Sequence, residues 1–333
     1  MLTLLILTLG LIVTSLISGS ASVPIANIWQ ALIGSSVRQT DIDIIWQLRL
    51  PRTLLALVVG LHFALSGLIL QTIIRNPLAD PGIMGVSSGA GFAIVCSLLL
   101  TDWLSYTLAL DTPISLQWLP VAAVLGGFTV AILVLYLTKS SGFSPSRLAL
   151  NGIALAAIFQ GAVIWIVVVW GGGRTETTLL WLSGSLYGRD FSHLWLILPW
   201  SLMAIIGIGI IFNPLKLLRF NDNTATTLGL NVSCWRLCAI LLAVLLAASA
   251  IAVSGPVGFL GLIVPHISRL VIGNNLPKLF IISALIGASL MLSADIISRL
   301  IISPRELPAG ILTTLIGIPF LLFILQSRGK KSC

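Results

Sequence analysis

The sequence predicts an all-α polytopic membrane protein. It reads as one transmembrane domain, 1–333, with ten helices and an inverted repeat relating spans two to five to spans seven to ten. Three observations predict this. Of 333 residues, 57% are hydrophobic and only 8% charged, with mean hydropathy +1.10; a soluble domain carries roughly a quarter charged residues. Ten apolar stretches recur, most of them near the about 20 residues that cross ~30 Å of hydrocarbon. Bases gather on alternate loops, as Lys and Arg do on the cytoplasmic side of a membrane.

Leu2–Ile17 is apolar throughout and reads as the first span. The SGSASV after it has the small residues of a leader cleavage site, but no basic segment precedes it, and a retained span gives an even count. Residues 18–52 read as a polar loop, and 53–74 as the second span. RNPLADPGIMG (75–85) turns the chain into a third span, 83–100. A loop with Asp102 and Asp111 leads to the fourth, 119–137. A basic turn, 139–147, precedes the fifth, 148–170. The polar loop 171–190 has room for a short helix before the sixth span, 194–212. After a polar interruption at 213–236 come 237–253, 257–271, 279–297 and 307–325. The stretch 257–271 is short for a full crossing.

Topology follows from charge. With the N-terminus in the cytoplasm, eleven bases and two acids fall inside, and seven bases and eight acids outside, net +9 against −1. Both termini are then cytoplasmic. Trp46, Trp103, Trp118, Trp170 and Trp235 fall near span ends, as interface anchors do. The total of +8 is spread between apolar spans and gathers on no single face, which excludes a nucleic-acid surface. Cys96, Cys234, Cys238 and Cys333 form no CxxC and no metal spacing.

The interruption 213–236 reads as a structured cytoplasmic segment. Pro214 suits the start of a short helical turn. Asp222 or Asn223 can cap a second turn, 224–228, and Gly229 suits the left-handed residue that ends it. Two short helices beneath a bilayer form a docking platform, where a plain loop would only join spans. The second helix of each proposed half is also unusual. ADPGIMGVSSGAG (79–91) and GPVGFLGLIVP (255–265) are rich in Gly and Pro. Broken segments at matching places in two halves point to a substrate path through Gly82, Gly85, Gly255, Pro256, Gly258 and Gly261. Close helix packing is the simpler account of the same glycines.

Long strings carry a family resemblance. RLPRTLLALVVGLHFALSGLILQTIIRNPLADPGIMGVSSGAG (49–91), GPVGFLGLIVPHISRLVIG (255–273) and ADIISRLIISPRELPAGILTTLIGIPFLLFIL (294–325) resemble the FecCD-type permeases of iron–siderophore, haem and vitamin B12 ABC importers. NGIALAA (151–157) and WLSGSL (181–186) extend the likeness nearly end to end. The resemblance implies a bacterial inner-membrane permease in a homodimer or a paralogous pair, a cytoplasmic ATPase subunit that carries ATP and Mg, and a periplasmic substrate-binding protein. It implies no cofactor or metal on this chain. The sequence lacks GxxxxGK[ST], so it cannot cradle ATP itself.

Site residues follow from the same resemblance. NDNTATTLG (221–229) is similar to the family's coupling helix, with Asp222, Ala225 and Gly229 matching and Asn223 and Thr224 departing from the usual Glu and Ala; Arg219 and Leu228 complete the set. Arg49, Arg52 and Arg299 match arginines that meet acidic lobes of the binding protein, a role suited to the guanidinium fork. A plainer role for Arg299 is pairing with Asp295, four residues earlier on one helix face. Asn76 and Leu78, with Ser144, Pro145 and Ser146, align with cytoplasmic gate segments. Pro145 departs from the usual small polar residue.

His62, His193 and His266 have no second ligand at helical spacing, so they read as packing or hydrogen-bonding residues. His62 is expected to face the bundle and His266 to bond a neighbouring loop. Two other classes stand beside the permease. An ion-coupled transporter needs an acid deep in a span, and Asp295 sits near a span end. An intramembrane enzyme needs catalytic residues, and the sequence has no HExxH and no paired aspartates within its spans. Ferric siderophore is the first cargo implied, haem the second and vitamin B12 the third.

Overall fold

The computed structural model describes residues 1–19, 23–33, 38–108, 118–139, 145–170, 175–302 and 306–329. All regular structure among them is helical. Among the described residues, seven helices are long and apolar enough to cross a membrane, and three shorter apolar helices accompany them. These ten follow the predicted spans in order.

The first helix, α1 (Leu2–Ile17), turns Leu2, Leu5, Ile6 and Leu9 outward and hides Thr8, Ser15 and Leu16. Thr8 satisfies its hydroxyl on Leu4 O and on Ser289 Oγ, 2.9 Å away. The expected loop at 18–52 is instead largely helical. It contains α2 (Ile25–Ile33) and α3 (Gln39–Asp43), and α3 runs through a π-helical turn (Ile44–Arg49) into α4 (Leu50–Ile74). Scattered charge hid this continuation from hydropathy. Asn27 donates to Asp41 at 2.7 Å and Trp46 to Ala31 O at 3.0 Å, so the polar groups are bonded inside the bundle. The wide turn lies just before Pro51, which lacks an N–H and crowds the preceding turn of a tight helix.

Helix α4 is the central element and is buried along most of its length. After it, Arg75 adopts a left-handed conformation (φ 54°), a short 3₁₀ turn covers Pro81–Met84, and Gly85 (φ 71°) leads into α5 (Val86–Leu108). The third span therefore begins at Val86 rather than at residue 83. Next come α6 (Leu119–Lys139), α7 (Pro145–Trp170) and the short α8 (Thr175–Leu182). Helix α9 (Phe191–Leu217) contains both Pro199 and Pro214. The short helix expected to start at Pro214 is thus the last turn of this long one, because the apolar face continues through Leu215 and Leu218. The chain ends with α10 (Asp222–Thr227), α11 (Val232–Ser254), α12 (Leu260–Ile272), α13 (Leu276–Leu300) and α14 (Ala309–Gly329).

Packing follows the proposed repeat. Helix α4 packs on α13 while its counterpart α11 packs on α6, and α4 and α11 pack on each other. In the same way α5 pairs with α6 and α12 with α13. Two contacts explain why glycine is needed on α4. A Cβ at Gly60 would lie 2.3 Å from Gly287 O, and one at Gly67 would lie 1.8 Å from Gly261 O. Small residues let membrane helices approach backbone to backbone where apolar burial drives little association.

Candidate functional site

The predicted Gly-Pro segments meet. Gly261, in the first turn of α12, packs on Pro81 Cδ, Asp80 Oδ2 and Phe63 O, so the broken segment of one half sits against that of the other. Gly82 donates its N–H to Asp80 Oδ1 at 2.7 Å. Burial pushes the Asp80 carboxyl up to about 6, although the Gly82 N–H opposes the shift. Between α11 and α12, residues 255–259 leave the helix: Gly255 has φ 72° and Phe259, a non-glycine, φ 66°. This stretch holds the WLSGSL segment in place. Gly310 N donates to Gly184 O at 2.9 Å, and a Cβ at Gly184 would lie 2.1 Å from Pro256 O. Gly258 faces Thr314 Oγ1.

At the side predicted to be cytoplasmic, α10 projects as an exposed helix pinned by one buried residue, Ala225. Asn221 occupies the N-cap position without a side-chain bond, so neither Asp222 nor Asn223 caps. The Asp222 carboxylate is held instead by two arginines. Arg236 reaches both its oxygens, at 2.7 and 2.9 Å, and Arg75 forms a second ion pair. Partial burial works against ionisation, but these guanidiniums outweigh it and hold Asp222 below the usual carboxylate range. Gly229 adopts φ 83° as expected, and Asn223 and Leu228 are exposed. Arg75 also donates to Leu218 O, which ties the end of α4 to the C-cap of α9.

The expected gate segments lie close to each other. Asn76 and Leu148, from the turn after α4 and the first turn of α7, line one small cavity with Ile83 and Met84. Asn76 Oδ1 accepts the Leu78 N–H at 2.9 Å. Ser146 is exposed in the opening turn of α7, which Pro145 begins. Ser144 lies outside the described residues.

At the opposite end the three predicted docking arginines come together, but as a buried clamp. Arg49 is 4% exposed, Arg52 8% and Arg299 4%. Arg49 donates to Leu16 O and Ile17 O at 2.7 and 2.8 Å; Arg299 donates to Ser15 O and Ser18 O at 3.2 and 3.1 Å. They satisfy carbonyls at the C-terminus of α1, which have no helical partner. Asp295 sits between Arg52 (2.8 Å) and Arg299 (3.0 Å), and Glu306 takes Arg52 at 2.8 Å. Their burial has a physical reason: Asp295 and Glu306 need buried counter-ions, and the end of α1 needs donors. The clamp still borders an open recess of about 310 Å³ that Tyr187 and Arg189 also line. Sequence reasoning anticipated the Arg299–Asp295 pair at helical spacing. It missed Glu306 and Arg189, which no motif marks.

The histidines stand apart. His62 lies between Ser249 Oγ and Ser201 Oγ, both at 2.9 Å, and joins α4 to α11 and α9. His193 pairs with Asp190, the N-cap of α9. The His266 ring meets Phe320 edge-on at 6.2 Å. Among the described residues, no three of His, Cys, Asp and Glu gather as metal ligands.

The family model of the FecCD transport family matches residues 5–327. The chain belongs to the FecCD transport family. FecCD relatives are similar over nearly their whole length. The Fe(3+)-citrate import system permease protein YfmE of Bacillus subtilis (strain 168) is 39% identical over 86% of this chain and 83% of its own. The Fe(3+) dicitrate transport system permease protein FecD of Escherichia coli (strain K12) is 37% identical over 95% and 94%. A solved metal-chelate type ABC transporter in an inward-facing conformation superposes with a TM-score of 0.81 at 31% identity, covering 98% of this chain and 99% of that one. The FecCD fold accounts for the multi-pass architecture described above.

Proposed function

We propose that this chain is the permease subunit of a binding-protein-dependent ABC importer that carries a ferric chelate, a ferric siderophore or ferric citrate, from periplasm to cytoplasm. The carrying observation is the near-complete match to Fe(3+)-citrate import permeases and to a metal-chelate type transporter. The chain works with a second permease copy in the inner membrane, both termini cytoplasmic. A separate ATPase subunit binds ATP and Mg and docks on α10, whose Asp222 is braced by Arg75 and Arg236 so that a push on α10 reaches α4 and α11. The binding protein docks over the Arg49–Arg52–Arg299 recess.

The secondary-transporter reading loses its one candidate proton carrier. Asp295 is fully buried and ion-paired to both Arg52 and Arg299, so it faces no open path. The decisive experiment co-purifies the permease with a partner ATPase and binding protein and measures radioiron uptake into proteoliposomes. ATP-dependent uptake of ferric citrate or a ferric siderophore supports the proposal. Concentrative uptake by the permease alone overturns it.

A further inference from the structure

Four arginines line the recess of about 310 Å³ at the end away from α10, and three of them are engaged. Arg49 and Arg299 hold carbonyls at the end of α1, Arg52 and Arg299 hold Asp295, and Glu306 takes Arg52. Arg189 differs. Its Nη1 donates to His193 Nε2 at 3.0 Å, and its Nε is buried with no hydrogen-bond partner. The neighbouring Asp190 carboxylate acts on it only through space. Asp190 Oδ1 instead accepts from Ser192 N at 3.0 Å and from His193 Nδ1 at 2.8 Å, which caps α9. Buried N–H groups find acceptors in nearly every protein. Arg189 forms part of the wall of an open recess, so its acceptor can come from a ligand. Tyr187 lines the same recess on the same turn, 69% exposed, and Gly188 between them has φ 67°. The turn thus offers a guanidinium and a phenol together, opposite the apolar side chains of Ile44 and Leu48.

We propose that the Tyr187–Arg189 turn is a receiving site on the permease for the carboxylate oxygens of a small ferric chelate leaving the binding protein. A guanidinium fork matches a carboxylate in two-point fashion, and a phenol adds a neutral donor. Size narrows the ligand. The recess lies at the small end of ligand pockets, which run from roughly 300 to 1,000 Å³. One acidic side chain of a docked protein leaves most of it empty, and a macrocycle the size of vitamin B12 does not enter. A compact carboxylate-rich chelate of the ferric citrate type fits. The assignment rests on the ferric-chelate reading above and names a residue for it outside the Arg49–Arg52–Arg299 set.

The test measures equilibrium binding of radiolabelled ferric citrate to the full-length permease in nanodiscs, without ATPase or binding protein. Wild type is expected to bind it, and R189Q to bind it about tenfold more weakly, as loss of a charge-assisted hydrogen bond implies. R38Q, which removes an equal charge from an exposed residue outside the recess lining, is expected to match wild type. If R189Q fails to fold, Y187F carries the comparison, because Tyr187 is exposed, with an expected loss of about fivefold. Absence of binding by wild type, or equal affinity of wild type and the recess variant, overturns the proposal. So does metal-free citrate bound as tightly as ferric citrate, which makes a free carboxylate the ligand. So does R189Q that weakens capture of the binding protein while chelate binding stays intact, which makes an acidic side chain of that partner the ligand. Binding to the permease alone needs no ATP, so its failure leaves ATP-driven uptake and the importer reading standing. A failure of uptake leaves the bound chelate measurable.

Discussion

Arg52 Nε donates to Asp295 Oδ1 across 2.8 Å, joining α4 to α13 over 243 residues of chain. Arg52 is largely and Asp295 wholly buried, and removing Asp295 leaves Arg299 with no carboxylate and Arg52 with Glu306 alone. Asp295→Ala is expected to destabilise the permease by about 3–5 kcal/mol. A paired R52M/D295L is expected to recover part of that loss, with Glu306 then left as the stranded charge. Melting curves in one detergent check both.

Gly67 offers a sharper test of packing. Gly67→Ala places a methyl group where Gly261 O already stands. The variant is expected to accumulate poorly and elute as aggregate in fluorescence-detected size-exclusion chromatography. Gly161→Ala has open space around it and is expected to behave as wild type.

Asp80 and Asp222 titrate in opposite senses. Burial raises Asp80 to about 6, so the folded state binds its proton more tightly than the unfolded chain does. Its effect is a loss of stability as pH rises from the ordinary carboxylate value towards about 6. Asp222 is lowered, so its ion pairs stabilise above the unfolded value and fade as pH falls through the folded one. Melting temperatures from about pH 2 to about pH 8 separate them: Asp80→Asn flattens the fall above about pH 4, and Asp222→Asn removes the rise below it.

For transport, Asp222→Asn is expected to lower ATP-driven uptake about tenfold while ATPase binding persists, because the brace from α10 to Arg75 and Arg236 is gone. Proteoliposome uptake measured beside ATP hydrolysis checks it. Unchanged uptake per ATP argues against α10 as the coupling element.

The apolar spans, their order and the two broken segments were legible because hydropathy and Gly-Pro content are local. The helical 39–49 region was not. Asp41, Asp43 and Arg49 lower its hydropathy, and Asp41 and Arg49 are bonded by Asn27 and by the end of α1, contacts no window can see. The same distance problem hid the buried state of Arg52 and the arginine partners of Asp222. Pro214 misled for another reason. Proline ends helices in water, but inside α9 tertiary packing keeps the last turn intact.

Where Gly60 meets Gly287 and Gly67 meets Gly261, main chain rests on main chain, and no rotamer change can make or take room there. Helices α4, α12 and α13 must then travel together as one stiff wall. Any opening and closing of the passage has to be taken up elsewhere, along seams where side chains still have somewhere to turn.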